Sequence, residues 1–291
     1  MNVIQQELMK KIYGARQRTI RSICPLRTDM HLHEAYEIYL FFKGDVDYFV
    51  ENKRYHLKQH DMFIFNNREL HAPSVLSDMI YDRYVIHFPA KLIQTLCTPE
   101  CNLLSCFDNR AIGEGNLRKL SPVQFDNLVG LFDKIYDTLD DDSIYSNIMT
   151  LSAILEILVV VNNIYDNPVS YPQKDSLSPV ISNIIEYINQ NFENDLSLNT
   201  IAQQYFLDKS YLCRKFKTEC GVTLHQYIVS KRLLYAKKLL ANGVNVTEVC
   251  LSSGFNNYSN FMRAFKKHVG ITPMMYMQGK LPPNDFGNSP Q

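Results

Sequence analysis

Along the first ninety residues, short β-branched and aromatic runs alternate with turn-forming pairs, as in EIYLFFKGDVDYFVENKRYHL, DMFIFNNRELHAPSV and IYDRYVIHFP. This rhythm predicts an antiparallel β-domain with turns at Gly44-Asp45, Asn52-Lys53 and Asn66-Asn67. From Ser121 the period changes. Ser121-Pro122 reads as an N-cap followed by proline at the first helical position, and Phe125, Leu128, Leu131, Phe132, Ile135 and Leu139 then recur at helical spacing. A second helix, Asn147 to Ile164, is apolar round most of its circumference through MTLSAILEILVVV and needs cover on several sides. We read the β-domain and a second subunit as that cover, with burial inside one chain as the alternative. Asp166 to Ser178, DNPVSYPQKDSLS, has two prolines and no periodicity and reads as a linker. Beyond it the pattern is purely helical.

That helical stretch repeats itself. At an offset of 49 residues, Ser210 falls on Ser259, Leu212 on Phe261, Arg214 on Arg263, Phe216 on Phe265, Lys217 on Lys266, Gly221 on Gly270, Thr223 on Thr272 and Tyr227 on Tyr276. A shared helical period does not produce ordered matches of such varied type, so the segment is an internal duplication. Each copy predicts a short helix, a tight turn and a second helix. In the first, Ser197 caps Leu198 to Tyr205, Phe206-Leu207-Asp208 turns, and Lys209 to Glu219 follows, stopped by Gly221. In the second, Val246 to Ser252, Ser253-Gly254-Phe255 and Asn257 to His268 take the same places, stopped near Gly270. This is helix-turn-helix geometry twice over, joined by LHQYIVSKRLLYAKKLLANG as one long helix.

On the second helix of each copy, Leu212 and Phe216, or Phe261 and Phe265, lie four apart and should face inward. The opposite stripe then carries Ser210, Cys213, Arg214 and Lys217, or Ser259, Met262, Arg263 and Lys266, with Tyr258 beside them. Arginine suits bidentate contact to guanine, while Lys209, Lys215, Lys217, Lys266 and Lys267 suit phosphates. A solvated charged face is the bland reading of any such stripe. Charge distribution weighs against it here. The 291-residue chain has 30 Lys and Arg against 30 Asp and Glu, yet residues 1–165 carry 17 against 21, net −4, and residues 179–280 carry 12 against 6, net +6. Basic charge is segregated into the duplicated segment, as phosphate contact by one domain requires.

The stretches LNTIAQQYFLDKSYLCRKFKTECGVTLHQYI and KRLLYAKKLLANGVNVTEVCLSSGFNNYSNFMRAFKKHVGITPMMY closely resemble the DNA-binding domain of the AraC/XylS family of bacterial transcription regulators, over residues 180–277. The resemblance implies base-edge positions at Ser210, Cys213, Arg214, Tyr258, Ser259, Met262 and Arg263. Cys213 departs from the larger polar residue common at its place in the family.

Candidate chemistry in the β-domain centres on His31, His33, Glu37 and Gly44, with His71 further on, matching the HxH-x3-E-x6-G spacing of cupins, small β-barrels in which three histidines and a glutamate converge inside. The second cupin motif is degraded, with Asn66 and Arg68 where proline and glycine usually stand. Three uses of His31, His33, Glu37 and His71 are open: a polar effector pocket, a divalent transition-metal site, and a hydrogen-bonded structural cluster. AraC-like regulators commonly keep this segment in an effector-binding domain without metal, so the resemblance favours the pocket and no cofactor.

Seven cysteines, among them Cys97, Cys101 and Cys106, form no CxxC pair and no disulfide framework and read as reduced thiols. The start of the chain has scattered charges and no secretory h-region, and no eighteen consecutive residues are apolar, which places the protein in the cytoplasm away from membranes. The expected fold is thus mixed and multidomain: a cupin-like antiparallel β-barrel sensor over 1–120, a helical dimerisation segment over 121–165, a linker over 166–178, an all-α domain of two helix-turn-helix units over 179–280 and a tail over 281–291. The expected function is sequence-specific regulation of transcription by a homodimer that binds double-stranded DNA and a small-molecule effector. By family analogy the theme is activation of a carbohydrate-related catabolic operon, with a sugar as effector and RNA polymerase as partner. The alternatives are a metal-dependent cupin enzyme with His31, His33, Glu37 and His71 as ligands and the DNA-binding domain as passenger, or a regulator that answers to a protein partner.

Overall fold

A computed structural model describes residues 8–20, 35–139, 141, 143–167 and 177–279. His31 and His33 lie outside the described residues, as do most of the expected linker and the tail. The β-branched and aromatic runs form β1 (Tyr13–Thr19), β2 (Tyr36–Lys43), β3 (Val46–Val50), β4 (Lys53–His56), β5 (Asp61–Phe65), β6 (His71–Val75), β7 (Tyr81–Phe88) and β8 (Leu117–Lys119). They pair antiparallel throughout, in a five-stranded sheet ordered β1-β7-β2-β5-β8 and a three-stranded sheet ordered β4-β3-β6. Gly44-Asp45 turns β2 into β3. Gly44 sits at φ +141, and a Cβ there would lie 3.2 Å from the Tyr81 Cα, so only glycine fits.

Alternation along the strands sorts the side chains. Tyr39, Phe41, Tyr48, Val50, Phe63, Phe65 and Tyr81 fill the space between the two sheets, while Ile38, Leu40, Met62, Ile64, Tyr84 and Ile86 face outward from the large sheet. After two short helices, α1 (Ala90–Gln94) and α2 (Ser105–Asp108), that outward face is covered by α3 (Pro122–Leu139) and α4 (Ser146–Asp166). The start of α3 is fixed as its sequence implies: Ser121 Oγ accepts the Gln124 amide, and Gln124 Oε1 accepts that of Ser121. By length and composition α4 could cross a bilayer, yet it is part of the core of this domain, through Ala153, Ile154, Ile157, Leu158 and Val161. Its other side, with Ile148 and Val159, is about half exposed.

The C-terminal part is helical throughout: α5 (Pro179–Asn191), α6 (Leu198–Gln204), α7 (Lys209–Cys220), α8 (Leu224–Ala241), α9 (Val246–Ser252), α10 (Tyr258–Val269) and α11 (Pro273–Met277). The duplication extends to caps and packing. Asp208 and Asn257 cap α7 and α10, Gly221 and Gly270 end them at φ +72 and +84, and Thr223 and Thr272 cap the helices that follow. Leu212, Phe216, Phe261 and Phe265 are all fully buried, and the Phe216–Tyr227 and Phe265–Tyr276 ring pairs both stand 5.7 Å apart. Helix α8 belongs to both cores, contributing Leu224, Tyr227 and Ile228 to the first and Leu233, Ala236 and Leu240 to the second. It is the rigid spacer between the units.

The turns of the two units differ in length. The first helices of the two units, α6 and α9, correspond at an offset of 48, not 49, because the second turn is one residue longer. Asn257 is therefore a cap rather than the first helical residue, and Phe206, at φ +53, stands where the second unit has Gly254 at φ +79. A Cβ on Gly254 would come 2.5 Å from the Phe192 carbonyl oxygen, whereas Phe206 projects into solvent, 96% exposed. Gly254→Ala should therefore lower stability by about 2 kcal/mol or more, and Phe206→Gly should raise it by about 0.5–1 kcal/mol as left-handed strain is relieved. Urea unfolding of the two variants checks both signs, and a neutral Gly254→Ala would show that the turn does not pack against Phe192.

Candidate nucleic-acid interface and barrel site

Because Leu212 and Phe216 anchor α7, and Phe261 and Phe265 anchor α10, the remaining stripe of each helix is displayed. Lys209, Ser210, Arg214 and Lys217 on α7 are exposed, and so are Tyr258, Ser259, Arg263, Lys266 and Lys267 on α10. Cys213 is half-buried. Two of the expected residues are less free than the sequence implied. Met262 is half-buried against the core of the second unit, where a flexible thioether fills space beside Phe261 and Phe265. Lys215 pairs with Glu219 one turn on, Nζ to Oε1 2.7 Å, rather than standing clear for phosphate. The guanidinium of Arg263 is held along its own helix by a hydrogen bond from Nη2 to Asn260 Oδ1 at 2.5 Å.

Glu219 has a second task. Its carboxylate accepts both the amide (2.8 Å) and the hydroxyl (2.9 Å) of Ser178, where α5 begins, so it ties α7 to the first helix of the domain. Burial works against the charged carboxylate, but the hydrogen bonds from Lys215 and Ser178 outweigh it and hold Glu219 below the usual range.

Inside the barrel, Glu37 on β2 and His71 on β6 come together as expected, joined by His87 from β7, which the sequence reading missed. Glu37 Oε2 lies 3.0 Å from His87 Nε2 and 3.3 Å from His71 Nε2, and all three side chains are buried. His71 Nδ1 is 2.9 Å from the Glu69 carbonyl oxygen, which only accepts, so Nδ1 carries a proton. His71 stacks on Phe65 at 4.0 Å, and nearby the Tyr39 and Tyr81 hydroxyls share a hydrogen bond of 2.8 Å. Burial pushes the Tyr39 and Tyr48 phenols well above their usual range, so they stay neutral. Arg83 lies 4.0 Å over the Tyr81 ring. The cluster thus offers a carboxylate, imidazoles and phenols inside an aromatic wall. His87 was legible only through its register with Tyr81 and Val85 on the inward face of β7, and that strand is buried on both faces, which hides the alternation. Among the described residues no group of three His, Cys, Asp or Glu is disposed to hold a metal. A separate cleft of about 400 Å³ lies outside the barrel, where Tyr13 and Gly14 of β1 meet Leu139 and Asn147 at the α3–α4 junction.

Residues 25–110 match the family model described as AraC-like ligand binding domain, and residues 201–279 match the one described as helix-turn-helix domain. The HTH-type transcriptional activator AarP of Providencia stuartii is 34% identical over 122 residues, which cover 41% of this chain and 90% of AarP. The melibiose operon regulatory protein of Escherichia coli K12 is 23% identical over 258 residues, 84% of this chain and 82% of its own. An HTH-type transcriptional regulator in the cgkA 5′ region of Pseudoalteromonas carrageenovora is 35% identical over 97 residues, 33% of this chain, and the chain spans 58% of that protein's length.

Since Glu219 is depressed in the folded state, its contribution is fully present above the unfolded value of about 4.3 and is lost as pH falls through the lower folded value. The melting-temperature advantage of the wild type over Glu219→Gln should hold at neutral pH and shrink progressively below about pH 4. An advantage that stays constant down to pH 3 would remove the Ser178–Glu219–Lys215 connection as its source.

Proposed function

The chain belongs to the AraC family of transcription regulators, and on that premise we propose that it is a cytoplasmic, homodimeric, effector-responsive activator of a carbohydrate-related operon, reading DNA with α7 and α10. The observation that carries this reading is the pair of displayed recognition helices, each pinned by two buried apolar residues and each basic on its open side. Arg214 and Arg263 are assigned to base edges, Ser210, Cys213, Tyr258 and Ser259 to neighbouring base contacts, and Lys209, Lys217, Lys266 and Lys267 to phosphates. Met262 and Lys215 take supporting places. With α8 as a rigid spacer, the two helices enter successive major grooves about 34 Å apart.

The barrel cluster of Glu37, His71 and His87 is read as the floor of a pocket for a polar effector, and a hydroxyl-rich ligand such as a sugar suits a carboxylate and imidazoles set among aromatic rings. Glu37 hydrogen-bonds His87 at 3.0 Å and lies 3.3 Å from the His71 ring, an arrangement we read as suiting hydrogen bonding to an effector. The melibiose operon relative supports the carbohydrate theme. The relatives are transcription regulators, and the reading gives the barrel no catalytic role. The half-exposed apolar side of α4, with Ile148, Met149 and Val159, supports a dimer through this helix, and RNA polymerase is the expected partner at the promoter.

Selection of sites from random duplexes, followed by footprinting at a stated salt concentration, should give paired elements one helical turn apart. Arg214→Ala and Arg263→Ala should each cost about 1–3 kcal/mol on the selected site and relax preference at different base pairs, while Lys266→Ala weakens all duplexes alike. Equal losses on selected and random DNA for all three would remove the assignment of base contacts. Ile148→Glu with Val159→Glu should yield monomers in analytical ultracentrifugation, and a persisting dimer would move the interface elsewhere.

A further inference from the structure

The core of the first helix-turn-helix unit is not made from that unit alone. Phe49, Leu70 and Ala72 of the barrel are part of it, beside Phe216, Val222 and Tyr227. These barrel residues come from β3 and the start of β6, the strands whose other face looks into the barrel. On β3, Tyr48 and Val50 point inward and Phe49 points to the reader; on β6, His71 points inward between Leu70 and Ala72. The small sheet is thus a single-layer wall, with the Glu37–His71 cluster on one side and the first reading unit on the other.

Two contacts fasten the reader to this wall. At the end of α7, a Cβ on Gly221 would lie 2.7 Å from Cδ2 and Cε2 of the Phe49 ring, so the helix terminus is pressed directly onto that ring. At the β3–β4 turn, Glu51 adopts φ +52, unusual for a side chain of its size, with Oε1 accepting the Leu70 amide at 2.9 Å and Oε2 meeting Lys231 Nζ on α8 at 2.5 Å. Both partners are buried, the side chains 5% and 10% exposed. A desolvated ion pair adds little net stability but strongly disfavours states in which one partner stays buried alone, so it defines a docked state and an undocked one with little between. Left-handed backbone spent on aiming a carboxylate at another domain marks the same spot.

We infer that Phe49 and Glu51 form a latch that holds the first reading unit against the outside of the effector wall, and that release of this latch is how the barrel controls DNA affinity. The sign follows from charge. Docking sets the mildly acidic N-terminal part, net −4 over residues 1–165, against the basic reader, net +6 over residues 179–280, and occupies Lys231 with a carboxylate. Both effects oppose phosphate binding, so the latched state is the weaker binder. A molecule that shifts Tyr48 or His71 from inside moves Phe49, Leu70 and Ala72 on the same strands, giving the differential contact that coupling requires.

The inference rests on the reading of the chain as a DNA-binding regulator, and two readouts separate them: hydrogen exchange in segment 221–231, which needs no DNA, and affinity of the full chain for its selected duplex. Phe49→Ala lies in the barrel and changes no charge; Glu51→Gln keeps an acceptor for the Leu70 amide while removing the charge facing Lys231. Each should speed exchange in 221–231 severalfold and tighten the duplex Kd at least threefold. Reversal of both charges, Glu51→Lys with Lys231→Glu, should slow exchange again relative to either reversal alone. Unchanged exchange in Phe49→Ala and Glu51→Gln overturns the latch, and faster exchange with unchanged Kd overturns its control of DNA. If the wild type binds no duplex selectively, the DNA-binding reading falls, and the exchange data still decide whether the domains are latched. Should Phe49→Ala fail to fold, Glu51→Gln and the charge reversal carry the test.

Discussion

Successive side chains of a β-strand point to opposite faces, and in β2, β3, β5, β6 and β7 this chain has work for both. The large sheet turns Tyr39, Phe63 and Val85 inward and Ile38, Ile64 and Ile86 outward to α3 and α4. The small sheet turns Tyr48 and His71 inward and Phe49, Leu70 and Ala72 outward to the first helix-turn-helix unit. A one-residue slip in either sheet would exchange the two sets wholesale, so register and domain arrangement are a single constraint. The β1–β7 pairing shows how it is held on one edge: Arg16 and Arg18 both bond Asp82, whose carboxylate burial would push up but which these guanidiniums hold below its usual range.

The same demand for two occupied faces explains what could be read from the residues alone. In the C-terminal domain each helix has one buried and one displayed side, so Leu212/Phe216 and Phe261/Phe265 stand out at four-residue spacing, and Ser197, Asp208, Thr223, Gly221 and Gly270 sit at the helix ends where caps are required. That domain was legible almost to the residue. The barrel was legible as a rhythm of strands and turns, but not in detail, because β2 and β7 are buried on both faces and read as continuous apolar runs. Hence Glu37 and His71 could be named from their spacing, while His87, which no motif marks, could not.

Two features lay beyond sequence reasoning for a different reason. Lys215 looks like a phosphate ligand because nothing local says that Glu219, four residues on, will be fixed in place by Ser178 from another helix. Likewise Lys231 reads as one more cation on a basic helix, and its partner Glu51 is 180 positions away. Pattern arguments register local periodicity, and they are silent about which distant carboxylate a lysine will meet. The longer turn of the second unit belongs here too, since a self-alignment anchored on the recognition helices carries the offset of 49 past the point where it becomes 48.

That single-residue difference between the units bears on how a duplicated reader becomes asymmetric. With Gly254 at its left-handed position, the second turn packs on the Phe192 carbonyl and is locked against the end of α5, an attachment reinforced by Arg232 of α8, which donates to the Phe192 and Asn194 carbonyl oxygens. The first turn carries Phe206 at the equivalent place, exposed, and its unit, tied to α5 through Glu219 and Ser178, is also held from the far side, where Gly221 meets Phe49. The second unit is therefore referenced to its own domain, and the first both to its own domain and to the β-domain. Because α8 joins both cores rigidly, a shift of the barrel wall acts on the first head directly and moves the second only as part of the same body, so the spacing between heads is preserved while the placement of both relative to the barrel changes.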